Sequence, residues 1–200
     1  APDAHVETVL PHLPPMIADM VRVQLLTGAR PGEICTMTAA AIDASGPVWL
    51  YTPLHHKTAH HGKVRSIAIG PRAQAVLRPY LTTRLSAYLF SPQASERERH
   101  ELQRARRATP LTPSQRQRDA ENARDPRDDY RDCYPTAAYA KAVHRACVRA
   151  GVPPWSPNQL RHTRATEIRR EHGLDAAGAV LGHAKLETTL VKEACKAGGQ

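Results

Sequence analysis

Arginine is well suited to holding a phosphate, because its planar guanidinium stays charged and offers paired N–H donors that fit two oxygens at once. Two arginines of this 200-residue chain stand in sequence contexts that would fix them for such work. Arg30 lies in Thr27-Gly28-Ala29-Arg30-Pro31-Gly32-Glu33. Gly28 reads as a helix stop and Pro31 as the first turn of the next helix, with Glu33 close behind. Arg30 is thereby held at a tight helix–helix corner. Arg161 lies in Ser156-Pro157-Asn158-Gln159-Leu160-Arg161-His162. That segment fits a capping box with Ser156 as N-cap, Pro157 at the first position and Gln159 at the third. Asn158, Arg161 and His162 then share one face of the first turns, at i, i+3 and i+4. This end of a helix also offers free backbone N–H groups and a positive dipole to an anion. The two arginines, 131 residues apart in the chain (161 − 30), read as halves of one phosphate clamp. The bland alternative is a pair of solvated surface arginines.

The elements that must position them follow from periodicity. Met16, Ile17, Met20, Val21, Leu25 and Leu26 give Pro15 to Thr27 a helical rhythm. Val48 to Tyr51 and Val64 to Ile69 are strand candidates, the second with Ile67 and Ile69 alternating against polar neighbours. Between them, Pro53 to Lys63 forms a hairpin loop that carries His55, His56, Lys57, His60 and His61. Zinc is disfavoured there, since the loop holds no cysteine or carboxylate and its histidines lack an ordered spacing. A helix from about Arg72 to Leu81 follows. An Ala-rich helix from about Thr136 to Ala150 is stopped by Gly151 and Pro153. The helix that starts at Pro157 should run to His172 and stop at Gly173. Asp175 then caps a short helix that ends near Gly182 and delivers His183 at its edge.

Composition sets the outer bounds. Two hundred residues with a 41% hydrophobic share suit one folded domain, residues 1–200, and aromatics at 4% leave Leu, Val, Ile and Ala to build its core. No run approaches the ~20 apolar residues of a membrane span, and no signal-peptide pattern opens the sequence. Cys35, Cys133, Cys147 and Cys195 show neither a C-x-x-C pair nor a disulfide-like spacing, and read as free thiols in the reducing cytoplasm. The net charge is +9. From Gln93 to Asp132, ten arginines face nine acids, and the only large aliphatics are Leu102 and Leu111. Such a segment cannot offset its ordering entropy by burial, so residues 93–132 are expected to be a disordered charged insertion, with helix only near Glu96 to Arg107. The rest of the chain keeps a net +8, as a nucleic-acid-binding surface requires.

Taken in order, the Arg30 box, the Asn158-Gln159-Leu160-Arg161-His162 box and Leu181-Gly182-His183 resemble the catalytic boxes of the tyrosine recombinases, the phage-integrase family. The resemblance covers about Leu13 to Lys192. It implies an α+β fold, mainly helical with a small antiparallel sheet, that acts on double-stranded DNA, self-associates on it, and needs no cofactor or metal. In that family strand transfer passes through a pentavalent phosphorane, whose non-bridging oxygens Arg30 and Arg161 would bind. Lys57, in His56-Lys57-Thr58, resembles the lysine that protonates the leaving 5′ oxygen, with Lys63 as the competing position. His183 resembles the histidine that hydrogen-bonds a non-bridging oxygen, and Glu33 the acidic residue that orients Arg30 or the lysine.

Two positions depart from the pattern. Asn158 stands where the family usually has histidine, and an amide cannot take a proton near neutral pH. Lys192 stands nine residues after His183 (192 − 183), where the nucleophilic tyrosine belongs, and no tyrosine follows Tyr139 in this sequence. The family's N-terminal DNA-clamping domain is also expected to be absent. Function therefore divides between a site-specific recombinase impaired in strand transfer and a non-catalytic DNA-binding remnant of a mobile-element integrase.

Overall fold

The structure, a computed structural model, describes residues 2–54, 65–81, 87–124 and 131–181. Eight α-helices and three short strands are found among these residues. The helices are α1 (Asp3–Val9), α2 (Pro15–Thr27), α3 (Pro31–Cys35), α4 (Pro71–Leu77), α5 (Pro92–Ala105), α6 (Pro113–Arg124), α7 (Thr136–Ala150) and α8 (Pro157–Leu181). The strands β1 (Ile42–Asp43), β2 (Trp49–Tyr51) and β3 (Ile67–Ile69) form one antiparallel sheet in the order β1-β2-β3. Register pairs Ile42 with Tyr51 and Trp49 with Ile69. This is the mainly helical α+β architecture that the sequence implies.

Helix α2 is the centre of the fold. It packs against α8, α4 and α3, and Met16, Ile17, Met20, Val21, Val23 and Gln24 are all buried. Burial on more than one face is why its apolar pattern is dense rather than a single stripe. Truncating a residue such as Met20, which has no exposed surface, costs about 2–5 kcal/mol. Helix α7 buries Tyr139, Val143, Ala146 and Cys147, a stripe at helical spacing, and packs on α1 and α3. In the sheet, Trp49 and Tyr51 point inward while Leu50 between them is exposed.

Several expectations change in detail. The core is not left to small aliphatics: Trp49, Tyr51, Phe90, Tyr139 and Trp155 are all buried in it. Aromatics are few, but each large ring covers much apolar surface, so most of them go inside. The helix expected over Arg72 to Leu81 is α4 followed by a 3₁₀ turn, Arg78–Tyr80, because Pro79 lacks the N–H an α-helix needs. Strand β1 is too short for any periodicity to reveal it. Gly173 interrupts α8 with φ 85 and ψ 178, so the stop expected there is a break in the helix axis, after which helix resumes to Leu181.

In the charged segment, where helix is expected near Glu96 to Arg107, the structure carries α5 and also α6, the second unforeseen. None of the described residues between 93 and 132 is buried. Arg, Glu, Gln and Ala favour helix without tertiary help, and only surface contacts join the two helices. Arg104 lies 3.6 Å from Asp119, and Arg107 Nη2 donates to Gln115 Oε1 at 2.8 Å. Exposed pairs of this kind contribute about 0.2–1 kcal/mol. Limited trypsin digestion is expected to cut first at arginines between Gln93 and Asp132, with the flanking parts remaining associated. Protection of those arginines would show that α5 and α6 pack as part of the body.

Candidate phosphate-binding site

The Arg30 corner begins where α2 ends. Gly28 takes φ 66 and ψ 17, and its N–H donates to the Gln24 carbonyl at 2.9 Å. Glycine adopts this left-handed geometry without a Cβ penalty, and the chain reverses within two residues. Arg30 is the N-cap of α3, in extended conformation. Glu33, three residues into the turn, accepts the Arg30 backbone N–H on Oε2 at 2.7 Å and Arg30 Nη1 on Oε1 at 2.8 Å. One carboxylate thus caps the helix and steers the guanidinium. The Arg30 side chain keeps 26% of its surface exposed, enough to meet a ligand.

A third arginine joins them from the sheet. Arg65, just before β3, grips the same carboxylate with Nε at 2.6 Å from Oε1 and Nη2 at 3.3 Å from Oε2. Its side chain and that of Glu33 are 5% and 3% exposed. Burial alone would raise the Glu33 pKa. The Arg65 charge, the Arg30 backbone N–H and both guanidinium hydrogen bonds overcome that and hold it below 4.5. The Tyr51 hydroxyl donates to the Glu33 carbonyl at 2.8 Å, so β2 and β3 together brace α3. Sequence reasoning missed Arg65, although a signal was present. Strand periodicity places residue 65 on the same inward face as Ile67 and Ile69. An arginine at such a position must find a buried anion.

Arg161 enters from the first turns of α8. It is 5% exposed, and its Nη1 donates to the Gly28 carbonyl at 2.6 Å. Only Ala29 separates Gly28 from Arg30, and the Arg30 charge acts on Arg161, so the structure brings the two sequence-distant arginines into one site. Burial, then the charges of Arg65 and Arg30, push the Arg161 pKa down to about 9, with Glu33 acting in the opposite sense. The guanidinium remains charged at neutral pH, in surroundings that oppose its charge. Among the described residues, two guanidiniums bond the Glu33 carboxylate and a third, Arg161, feels its charge and theirs. Asn158 is exposed, and its Nδ2 lies 3.5 Å from His162 Nε2. The first turn of α8 therefore presents the amide outward while Arg161 turns inward. Lys57, its competitor Lys63, the hairpin histidines, His183 and Lys192 lie outside the described residues.

Comparison with known proteins bears on what this arrangement serves. The model of the phage integrase family matches residues 12–192. No curated protein matches the chain. Among solved structures, a crystal structure of XerA recombinase shares 18% identity at a TM-score of 0.58, covering 100% of this chain and 63% of that one. The Tn1549 transposon integrase (aa 82–397), in complex with circular intermediate DNA, shares 16% identity at a TM-score of 0.59, over 96% of this chain and 60% of that one. XerH site-specific recombinase bound to difH substrate shares 13% identity at a TM-score of 0.57, over 100% and 53%. These likenesses show the fold, and the chain spans between 53% and 63% of the length of these three structures.

Glu33→Gln tests the anchor of this cluster. Removing one partner of a buried ion pair costs about 3–5 kcal/mol, and that loss is expected near neutral pH. The folded-state pKa lies below 4.5, so the carboxylate contributes fully above 4.5 and ceases to contribute as pH falls through the folded value. Denaturant titrations at neutral pH and in acid below the folded value should therefore show the variant converging on the wild type. An equal deficit at both values would mean that the charge of Glu33 is not what holds the corner.

Proposed function

Because the chain belongs to the phage integrase family, we propose that it binds duplex DNA and clamps one backbone phosphate, as a site-specific recombination protein of the tyrosine recombinase type with impaired strand transfer. The observation that supports this most directly is the gathering of three guanidiniums, Arg30, Arg65 and Arg161, around Glu33. A phosphodiester seated there gains hydrogen bonds from preformed guanidinium forks and relieves the repulsion that Arg161 feels. The relief grows as a phosphorane gathers negative charge, which is how a fixed cationic site lowers a barrier. In this reading Lys57 protonates the leaving 5′ oxygen, His183 donates to a non-bridging oxygen and Asn158 offers only an amide hydrogen bond. Copies of the protein associate on the DNA, in the cytoplasm. The DNA-bound states of the XerH and Tn1549 structures are in keeping with a duplex partner.

Lys192 favours a second reading, that of a non-catalytic DNA-binding remnant. An amine cannot form the phosphotyrosine ester, and a cationic ammonium is a poor nucleophile. The clamp then outlives the chemistry it served.

Binding is tested by a gel-shift titration across salt. Affinity for duplex DNA is expected to fall steeply with ionic strength. Arg161→Ala should weaken binding at the scissile phosphate and leave most of the salt slope to other contacts. Weak affinity even at low salt would end the DNA reading.

The missing nucleophile is tested with nicked suicide DNA. The unmodified domain is expected to form no detergent-resistant adduct, and Lys192→Tyr to gain slow covalent capture. Capture stays slow because Asn158 supplies no proton acceptor, and one positioned acid–base group is worth ~10²–10⁴-fold. Adding Asn158→His should speed it, and adding Arg30→Ala should abolish it. An adduct already present without these changes would show that another residue attacks.

A further inference from the structure

Gln24 is a polar side chain in the middle of α2, with 0% of its surface exposed. Its Nε2 donates to the Ala29 carbonyl at 3.2 Å and to the Pro157 carbonyl at 2.9 Å. Its Oε1 accepts the Tyr139 hydroxyl at 2.9 Å, and Tyr139 is likewise fully buried. Burying an amide is unfavourable unless its hydrogen bonds are made, and here both donors and the acceptor oxygen are engaged.

The partners are what give Gln24 its meaning. Ala29 is the residue before Arg30. Pro157 opens α8 and lies four residues, one helical turn, before Arg161 (161 − 157). One amide therefore ties the backbone that carries the first arginine to the backbone that carries the second. The Arg161 guanidinium closes the loop by donating to the Gly28 carbonyl, while the Gly28 N–H returns to the Gln24 carbonyl. Tyr139, from α7, holds the amide in the single orientation that sends both N–H groups forward.

We propose that Gln24, oriented by Tyr139, is a positioning residue that sets the spacing of Arg30 and Arg161. It touches no ligand and acts through the backbone of the two arginines. The need for such a device follows from the site's charge. Arg30, Arg65 and Arg161 repel one another, and packing alone resists that repulsion without direction. Hydrogen bonds from one side chain, held at its oxygen by Tyr139, fix the approach of the start of α8 to the end of α2. The proposal rests on the phosphate-clamp reading only for the purpose of the spacing, and not for the spacing itself.

The test separates packing from positioning. Gln24→Leu alone strands the Tyr139 hydroxyl in an apolar core and risks the fold. Gln24→Leu combined with Tyr139→Phe replaces both partners by apolar groups of similar shape, which is close to neutral for that pair. Circular dichroism and thermal melting are expected to show this double variant folded. Two readings are then taken by NMR on arginine-labelled protein. The first, without ligand, is hydrogen exchange of the Arg161 guanidinium protons. It is expected to accelerate by about tenfold or more in the double variant as the bond to Gly28 loosens. Unchanged exchange would overturn the proposal, whatever the site binds.

The second reading is a titration with inorganic phosphate, followed at the Arg30 and Arg161 side chains. Wild-type protein is expected to show both arginines responding together, and the folded double variant about tenfold weaker affinity. Equal affinity in the two proteins would also overturn the proposal. No response at either arginine in the wild type would refute the clamp reading instead, and the exchange measurement would still decide the role of Gln24. If the double variant fails to fold, Tyr139→Phe alone is measured. It deletes one hydroxyl, and faster Arg161 exchange in that folded protein supports the proposal, whereas unchanged exchange refutes it.

Discussion

The carboxylate of Glu33 is the constraint on which the site depends. Three guanidiniums, two of them nearly buried, are gathered within one small volume, and like charges so placed would drive the elements that carry them apart. Glu33 answers two of them directly, and its own burial is tolerated only because those two hold it ionised. Neither side of this arrangement is stable without the other. Arg161 stands beside them with its pKa pushed down by burial and by the charges of Arg65 and Arg30.

The rest of the fold can be understood as the frame for that cluster. Helix α2 delivers Arg30 through the Gly28 reversal, the sheet delivers Arg65 on its inward face, and α8 delivers Arg161 from its first turns. These come from three parts of the chain that meet on α2, which explains why α2 is buried so thoroughly and why it carries a glutamine in its core. The exposed helices α5 and α6 carry none of the three arginines and hold together through local propensity and surface pairs.

A cluster of this kind also separates two properties that are easily confused. Holding a phosphate requires charge and geometry, and the proposed clamp draws both from Arg30, Arg65 and Arg161. Transferring a strand requires a nucleophile as well, and under the proposed reading Lys192 offers an amine in place of the hydroxyl. On that reading binding can outlast catalysis, because the interactions that make the proposed clamp also hold up the fold.

How much of this was legible in the amino-acid sequence differs from feature to feature. Helices α2 and α7, with their glycine stops at Gly28 and Gly151, could be read directly. Local periodicity and capping chemistry act over a few residues, and such information survives in a linear string. The corner at Arg30 and the start of α8 were legible for the same reason, as was Glu33 beside Arg30. The second helix of the charged segment was not foreseen, since composition speaks to burial and that helix buries nothing. Arg65 and Gln24 were passed over because their meaning lies in partners 32 and 133 residues away. A buried arginine or glutamine is unfavourable in isolation and becomes stabilising only beside a particular carboxylate or carbonyl. Sequence alone determined which segments turn, coil and carry charge. Tertiary structure decided which charges meet, because electrostatic and hydrogen-bonding energies depend on distances that only the folded chain defines.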